Sequence, residues 1–389
     1  MNIYLSFFQS KVIHTIPAYS FWEYYIKNGI REGGFDWTEG EVDWAEGLLY
    51  SSDEISLRKW KTHTWEKTVK DIQLKHLKKP ISFFLSYLYP HQVDEQAIRS
   101  IQKMGIPCVN FFCDNVREFT IAPKEFEVFD LNWVPEYKAL QMYKNACYPH
   151  IHLPMPMWVA PDHRQLPTIE TNHVSFIGSR DLQRWMLFEE VAKKGLPIDI
   201  YGNGWRNEGI EHEVGTKFKK GWTKQILLNQ IEIFNRFGFT GFLRKINQRN
   251  IQIEISSTLE KFLKDKPSFN DYINITKESA VILGVNRYPS FRKPLNNPDT
   301  YSRLRDIEAP MLGACYLTEN TTGLDEMYEI GSEIEAYDNA DDMIEKAKQL
   351  LCDKDKRKQM RINAQKKALS NLSISASLNK ISNYFNNFI

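Results

Sequence analysis

Chemistry in this chain gathers at glycine turns and arginine-carboxylate pairs that follow short apolar runs. Ile177-Gly178-Ser179-Arg180 sets a Gly-Ser turn between an apolar run and a helical pattern. Backbone N–H groups and the positive end of a helix dipole attract phosphate at such a place, and glycine admits close approach. Arg184 falls one turn beyond Arg180 on the same helical face and can reach the same anion. An ordinary strand-to-helix turn has the same pattern. Tyr201-Gly202-Asn203-Gly204-Trp205 ends the next apolar run. Its glycines permit a tight, ligand-lining loop, while Trp205 suits a core cap equally well. In Arg303-Leu304-Arg305-Asp306-Ile307-Glu308, Arg305 and Glu308 share a helix face. The guanidinium can fork onto a diphosphate and the carboxylate can accept sugar or ribose hydroxyls, or the two can pair with each other. Thr321 and Thr322 bring hydroxyls to the end of the following strand.

These groups need a scaffold of parallel strands to bring them together, and the apolar pattern supplies one. Strands are expected over 2–8, 81–89, 106–114, 129–135 and 150–158, then 173–179, 197–202, 280–287, 315–319 and 333–337. Between them the periodicity predicts helices over 18–31, 56–79, 95–105, 136–146, 180–195, 269–279, 301–314 and 323–331, and two within 340–369 broken near Asp353. Residues 32–49 read as a long loop with a short helix. Buried strands separated by helices indicate a doubly wound α/β fold, whose ligands bind beyond the carboxyl ends of the strands. The proline-rich stretch 154–172 marks a boundary, giving domains over 1–158 and 159–369, an insertion at 206–270, and a tail, 370–389, that crosses back to the first domain.

Composition narrows the function. Of 389 residues, 50 are Lys or Arg and 49 are Asp or Glu, a net charge of +1 that argues against nucleic acid as the main partner. The start lacks the pattern of a secretory signal, and no apolar run is long enough to span a membrane, so the expected location is cytoplasmic. The five cysteines, at 108, 113, 147, 315 and 352, are scattered and read as free thiols, with no metal site. Aromatic residues make up 13%, which suits a large core or a sugar-stacking cleft. Within the insertion, Lys217, Lys219, Lys220, Lys224, Arg236, Arg244, Lys245 and Arg249 interleave with Phe218, Trp222, Phe234, Phe237, Phe239 and Phe242. Such a segment forms a lid or an oligomer contact, or lies on an anionic membrane surface through 217–249.

The fragments VSFIGS, IDIYGNGW, ITKESAVILGVNR and LRDIEAPMLGACYLTENTTGLDEMYEIGSEIEAY, in that order, resemble the nucleotide-binding half of GT-B glycosyltransferases. The nearest likeness is to the CgeB-like, spore-maturation branch, and GIPCVNFFCDN with DLNWVPEYKALQMY resembles that branch's first domain. The resemblance implies two Rossmann-like domains facing a central cleft, with a nucleoside-diphosphate sugar on the second and a saccharide or lipid-linked glycan acceptor on the first. It gives Glu308 the ribose and Arg305 the diphosphate. Gly178 and Ser179 form the phosphate-side turn, Tyr201 to Trp205 with Thr321 and Thr322 surround base and phosphates, and Arg180, Arg184, Arg287 and Arg303 complete the donor side. No cofactor beyond the donor is implied. Many retaining members carry a second glutamate eight residues before the first; here that position is Thr300, which leaves retention or inversion open. An inverting reaction needs a general base, for which Asp114 is the first candidate and His91 the second. Asp114 equally fits an N-cap or a partner of Arg117. Asp36 and Asp43, beside Trp37 and Trp44, are candidate acceptor contacts. The same fold also serves nucleotide-sugar epimerases and non-catalytic glycan-binding proteins.

Overall fold

Short apolar runs without polar alternation become strands covered on both faces. The computed structural model describes residues 1–7, 18–50, 53–206, 238–248, 251, 253–287 and 293–386, in two units: Met1–Ala160 with Ala368–Ile389, and Pro161–Lys367. In the first unit the strands are β1 (Asn2–Ser6), β2 (Asp36–Glu39), β3 (Phe83–Ser86), β4 (Cys108–Phe111), β5 (Leu131–Val134) and β6 (His150–His152). They pair in parallel in the order β2-β1-β3-β4-β5-β6. In the second unit β7 (Thr171–Ile177), β8 (Asp199–Tyr201), β9 (Ser279–Gly284), β10 (Tyr316–Glu319) and β11 (Glu335–Tyr337) are also parallel, in the order β11-β10-β9-β7-β8. Helices cover both sheets, and the pattern is α/β throughout.

The stretch 32–49 departs from expectation, because its DWTE segment is the edge strand β2. An edge strand has a single pairing partner and profits from charge, so it lacks the apolar signature. Asp36 pairs with Lys79 and Glu39 with Lys27 at 2.7 Å, while Lys27 and Arg31 cover the Trp37 ring at 4.5 and 5.3 Å. Asp43 accepts the Glu46 N–H at 3.1 Å. Trp44 is fully buried, edge-on to Trp65 at 5.0 Å. Asp36, Asp43, Trp37 and Trp44 thus each have a partner within the first unit, and Asp36 and Asp43, the acceptor-contact candidates, hold the edge strand and the start of the helix Glu46–Leu49.

The C-terminal helix Ile374–Asn386 packs against the helix Ala18–Glu32 within the first unit. Gly29 makes this possible, since a Cβ there would lie 2.5 Å from Ile374 Cδ1 and 2.6 Å from its Cβ. Helix propensity alone favours alanine over glycine by about 1 kcal/mol; packing opposes it. Gly29→Ala is expected to destabilise the protein by about 1–3 kcal/mol, measured by urea unfolding, with partial recovery when Ile374→Ala is added.

Candidate functional site

β9 and β10 run side by side, with Thr318 opposite Gly284, and their carboxyl ends converge on one buried carboxylate. Asp306, fully buried, accepts hydrogen bonds from Tyr316 Oη at 2.7 Å, Thr318 Oγ1 at 3.0 Å, Asn286 Nδ2 at 3.0 Å and the Arg303 N–H at 3.0 Å. Burial pushes its carboxyl above the ordinary value, and these bonds oppose that shift. The Arg303 bond, together with Tyr301 N–H to the Asn286 carbonyl at 3.2 Å, keeps 301–304 out of the helix. The helix expected over 301–314 is thus confined to Arg305–Met311.

Arg287 differs from its assignment. Its guanidinium forks onto Glu319, which also accepts the N–H groups of Asn286 and Arg287 at 3.1 and 3.0 Å. Arg287 is thereby a clamp between β9 and β10, not a free cation for a ligand. Beside this clamp lies a cavity of about 390 Å³, lined among others by Thr300, Asn296, Asn320 and Asp338. Thr321 is buried with its hydroxyl 3.1 Å from that of Thr300, while Thr322 is exposed.

The other arginines form a positive group. Burial lowers the Arg184 guanidinium, Asp181 opposes, and Arg303 and Arg305 lower it further, so the three lie within one another's field. Arg184 Nη1 donates to the Ser179 carbonyl at 2.8 Å, and Arg303 Nη2 to the Arg287 carbonyl at 2.7 Å. Arg303 Nε and Arg305 Nη1 are buried and have no hydrogen-bond partner among the described residues. Arg305 and Glu308 are joined through Tyr272, whose ring lies 5.1 Å from the Arg305 guanidinium and whose hydroxyl donates to the Glu308 carboxylate. For Arg305, burial disfavours the charge, but Tyr272, Glu308, Tyr316 and Asp306 together outweigh it and the pKa rises.

The glycine turns are closed on themselves. Gly178 N–H donates to the Tyr201 carbonyl at 2.8 Å and Arg180 N–H to the Asn203 carbonyl at 2.9 Å. Gly202, at φ +135°, lies so close to Gly178 that a Cβ would come within 2.3 Å of its carbonyl oxygen. Asp181 caps the helix Leu182–Lys193 by accepting the Arg184 N–H. The Gly178-Ser179 turn therefore spends its flanking N–H groups on the neighbouring loop, and a carboxylate already occupies the helix end, correcting its reading as an open phosphate cradle. Trp205 is fully buried, donates to the Gly178 carbonyl at 2.7 Å and packs on Phe188. It belongs to the core, so it does not surround a base. Tyr201 is half-buried and Asn203 exposed.

In the first unit Asp114 stands before the short helix Asn115–Glu118 and makes no side-chain cap bond. His91 lies in the turn Pro90–Gln92; burial holds its imidazole below the ordinary value, with Nε2 enclosed and without a hydrogen bond among the described residues. Sequence reasoning passed over Glu136, 1% exposed, whose carboxyl burial and then Asp114 push up to about 8. Among the described residues no cluster of metal-ligating side chains occurs, and no helix is long and apolar enough to cross a membrane. Of the insertion's basic and aromatic residues, Lys217, Phe218, Lys219, Lys220, Trp222, Lys224, Phe234, Arg236, Phe237 and Arg249 lie outside the described residues. Phe239, Phe242, Arg244 and Lys245 fall on the helical stretch 238–248.

Asp306→Ala strands several buried donors at once and is expected to cost roughly 3–5 kcal/mol by urea unfolding. A variant within about 0.5 kcal/mol of the parent, the range of neutral surface changes, contradicts the network.

Residues 240–383 match the family model described as glycosyl transferase-like. No curated protein gives a significant match. Sucrose-phosphate synthase from Thermosynechococcus elongatus is 11% identical over all of both chains, with a TM-score of 0.52. HepE of Anabaena, solved in complex with UDP, is 12% identical over 99% of both chains, with a TM-score of 0.54. A glycosyltransferase from Rickettsia africae ESF-5 is 10% identical over 99% of this chain and 98% of its own, with a TM-score of 0.54. The chain accordingly has the GT-B fold of two Rossmann-like units, with a glycosyltransferase-like segment over 240–383.

Proposed function

We propose that the chain transfers a sugar from a nucleoside-diphosphate donor to a hydroxyl of a saccharide acceptor, in the synthesis of a surface glycan. The order of its motifs favours the CgeB-like branch. The observation that carries the reading is the group of Arg184, Arg303 and Arg305 at the strand ends of the second unit, with buried guanidinium nitrogens lacking partners among the described residues. A buried, unpaired donor is costly, and an anionic ligand that accepts from it offsets that cost.

In the reaction, the acceptor oxygen bonds to the anomeric carbon as the bond from that carbon to the diphosphate oxygen breaks. The acceptor proton passes to a base, for which Asp114 is the candidate, and the diphosphate leaves with its electron pair. Positive groups fixed before the reaction stabilise that departing charge at no reorganisation cost. Arg303 and Arg305 supply this, and neutralisation by guanidinium leaves no step that calls for a metal. Glu308, oriented by Tyr272, accepts the ribose hydroxyls. The basic and aromatic segment 217–249 suits an acceptor held at an anionic lipid surface.

UDP is the first donor nucleotide to test, since HepE is solved with UDP and with UDP and glucose. A nucleoside diphosphate at a hundredfold excess over its Kd, without metal, is expected to stabilise the fold by about 2.7 kcal/mol in a thermal-shift assay. Arg303→Ala and Arg305→Ala each weaken binding at least about tenfold, the scale of one charge-assisted hydrogen bond. The donor site is wrong if no nucleoside diphosphate binds, or if both variants bind like the parent. Conversion of one nucleotide sugar into another identifies an epimerase, and glycan binding without turnover a binding protein.

A further inference from the structure

The first unit holds a buried acid that the proposed reaction leaves unused. Glu136 lies two residues beyond β5 and Asp114 three beyond β4, so the two stand past neighbouring strand ends of one sheet. Glu136 Oε2 accepts the Val116 N–H at 3.2 Å, and the Asn115 side chain and amide also favour its charged form. Asn115 is itself fixed, donating to the Phe112 carbonyl at 2.7 Å and accepting from Tyr143 Oη at 2.8 Å. Glu136 Oε1 is enclosed and has no partner among the described residues. The titratable groups that feel Glu136 are Asp114 and Cys113, at the end of β4, and Tyr143, from the helix Leu140–Ala146. Each lacks a positive charge, so the surroundings offer Glu136 no ion-pair partner among the described residues.

We propose that Glu136 is the positioning residue for Asp114: its carboxyl carries the proton of the pair, leaving Asp114 as the single carboxylate that takes up the acceptor proton. Two carboxylates at one site do not both ionise readily, and the more buried one keeps the proton. Here that is Glu136, whose enclosed Oε1 becomes an O–H donor in place of an uncompensated charge. Burial and then Asp114 push its carboxyl up to about 8, so Glu136 is neutral at neutral pH and takes up its charge above that value. The charge that Glu136 takes up there is of the same sign as that of the neighbouring Asp114 carboxylate and opposes it.

A folded-state pKa raised above the unfolded value, about 4.3 for glutamate, gives stability that is complete below the unfolded value and lost as pH rises through the folded one. This rests on Asp114 as the base only for its catalytic part; the protonation itself is read without turnover. Urea unfolding of the full chain between pH 5 and 8.5 is compared for the parent and Glu136→Gln, which keeps the shape and fixes the neutral state. The unfolding constant of the parent is expected to rise relative to the variant by up to about tenfold per pH unit across this window. Asp114→Asn moves the end of that rise to lower pH. Parallel pH curves for parent and Glu136→Gln overturn the proposal. Should Glu136→Gln fail to fold, the carboxyl carbon of Glu136 in the isotope-labelled parent is titrated by NMR; a midpoint near the ordinary glutamate value overturns it equally.

With a nucleotide-sugar donor, Glu136→Gln is expected to retain turnover at pH 7 and to lose the parent's change in kcat/KM near pH 8. A profile that keeps this change overturns the positioning role. Absence of turnover in the parent defeats the transferase reading while the stability comparison still decides the protonation of Glu136.

Discussion

One buried carboxylate governs the second unit. Asp306 ties the start of the helix Arg305–Met311 to Tyr316 and Thr318 of β10 and to Asn286, two residues beyond β9. A carboxylate taken from water is costly unless its lone pairs are filled, and here four donors fill them, two from β10, one from beyond β9 and one from the helix entry. Because each donor needs Asp306 as much as Asp306 needs it, the helix has one position relative to the sheet. The Tyr328 hydroxyl, donating to the Asp306 carbonyl at 2.8 Å, adds a further tie.

The arginine group inherits its geometry from this anchor. Arg303 precedes and Arg305 opens a helix whose entry is set by the Arg303 N–H bond to Asp306. Arg287 and Glu319 neutralise each other alongside, so their charges hold strands together and leave the field to Arg184, Arg303 and Arg305. Arg184 is disfavoured by burial and by the like charges of Arg303 and Arg305, and Arg303 and Arg305 hold buried nitrogens unpaired among the described residues; a bound anion relieves both costs. Stability and the proposed anion recognition thus draw on the same loop.

Much of the scaffold was legible because buried parallel strands announce themselves as unbroken apolar runs. β3, β4, β5 and β10 lie within the stretches expected for them, while β7 and β9 overlap theirs but begin two residues and one residue earlier. β2 escaped because an edge strand needs no apolar face, and DWTE is stabilised by Lys27 and Lys79 from other elements. The helix at 305 was drawn too long since the tertiary bonds of Tyr301 and Arg303 override its local propensity. Glycines 178 and 202 stood out in the sequence, yet residue type alone does not say whether a glycine admits a ligand or another backbone. Trp205 and Trp44 show the same ambiguity, with both settled by burial. Asp306 and Glu136 were invisible as special residues, because a carboxylate's role is set by neighbours far away in sequence.

The central claim is that the arginine group at the strand ends of the second unit recognises a diphosphate. Isothermal titration of the metal-free protein with UDP, and separately with uridine, isolates that contribution from recognition of base and ribose. The account predicts that UDP binds at least about tenfold more tightly, the scale of one charge-assisted hydrogen bond, with the difference shrinking as salt is raised. Equal affinity for UDP and uridine, at low and at high salt alike, would contradict it.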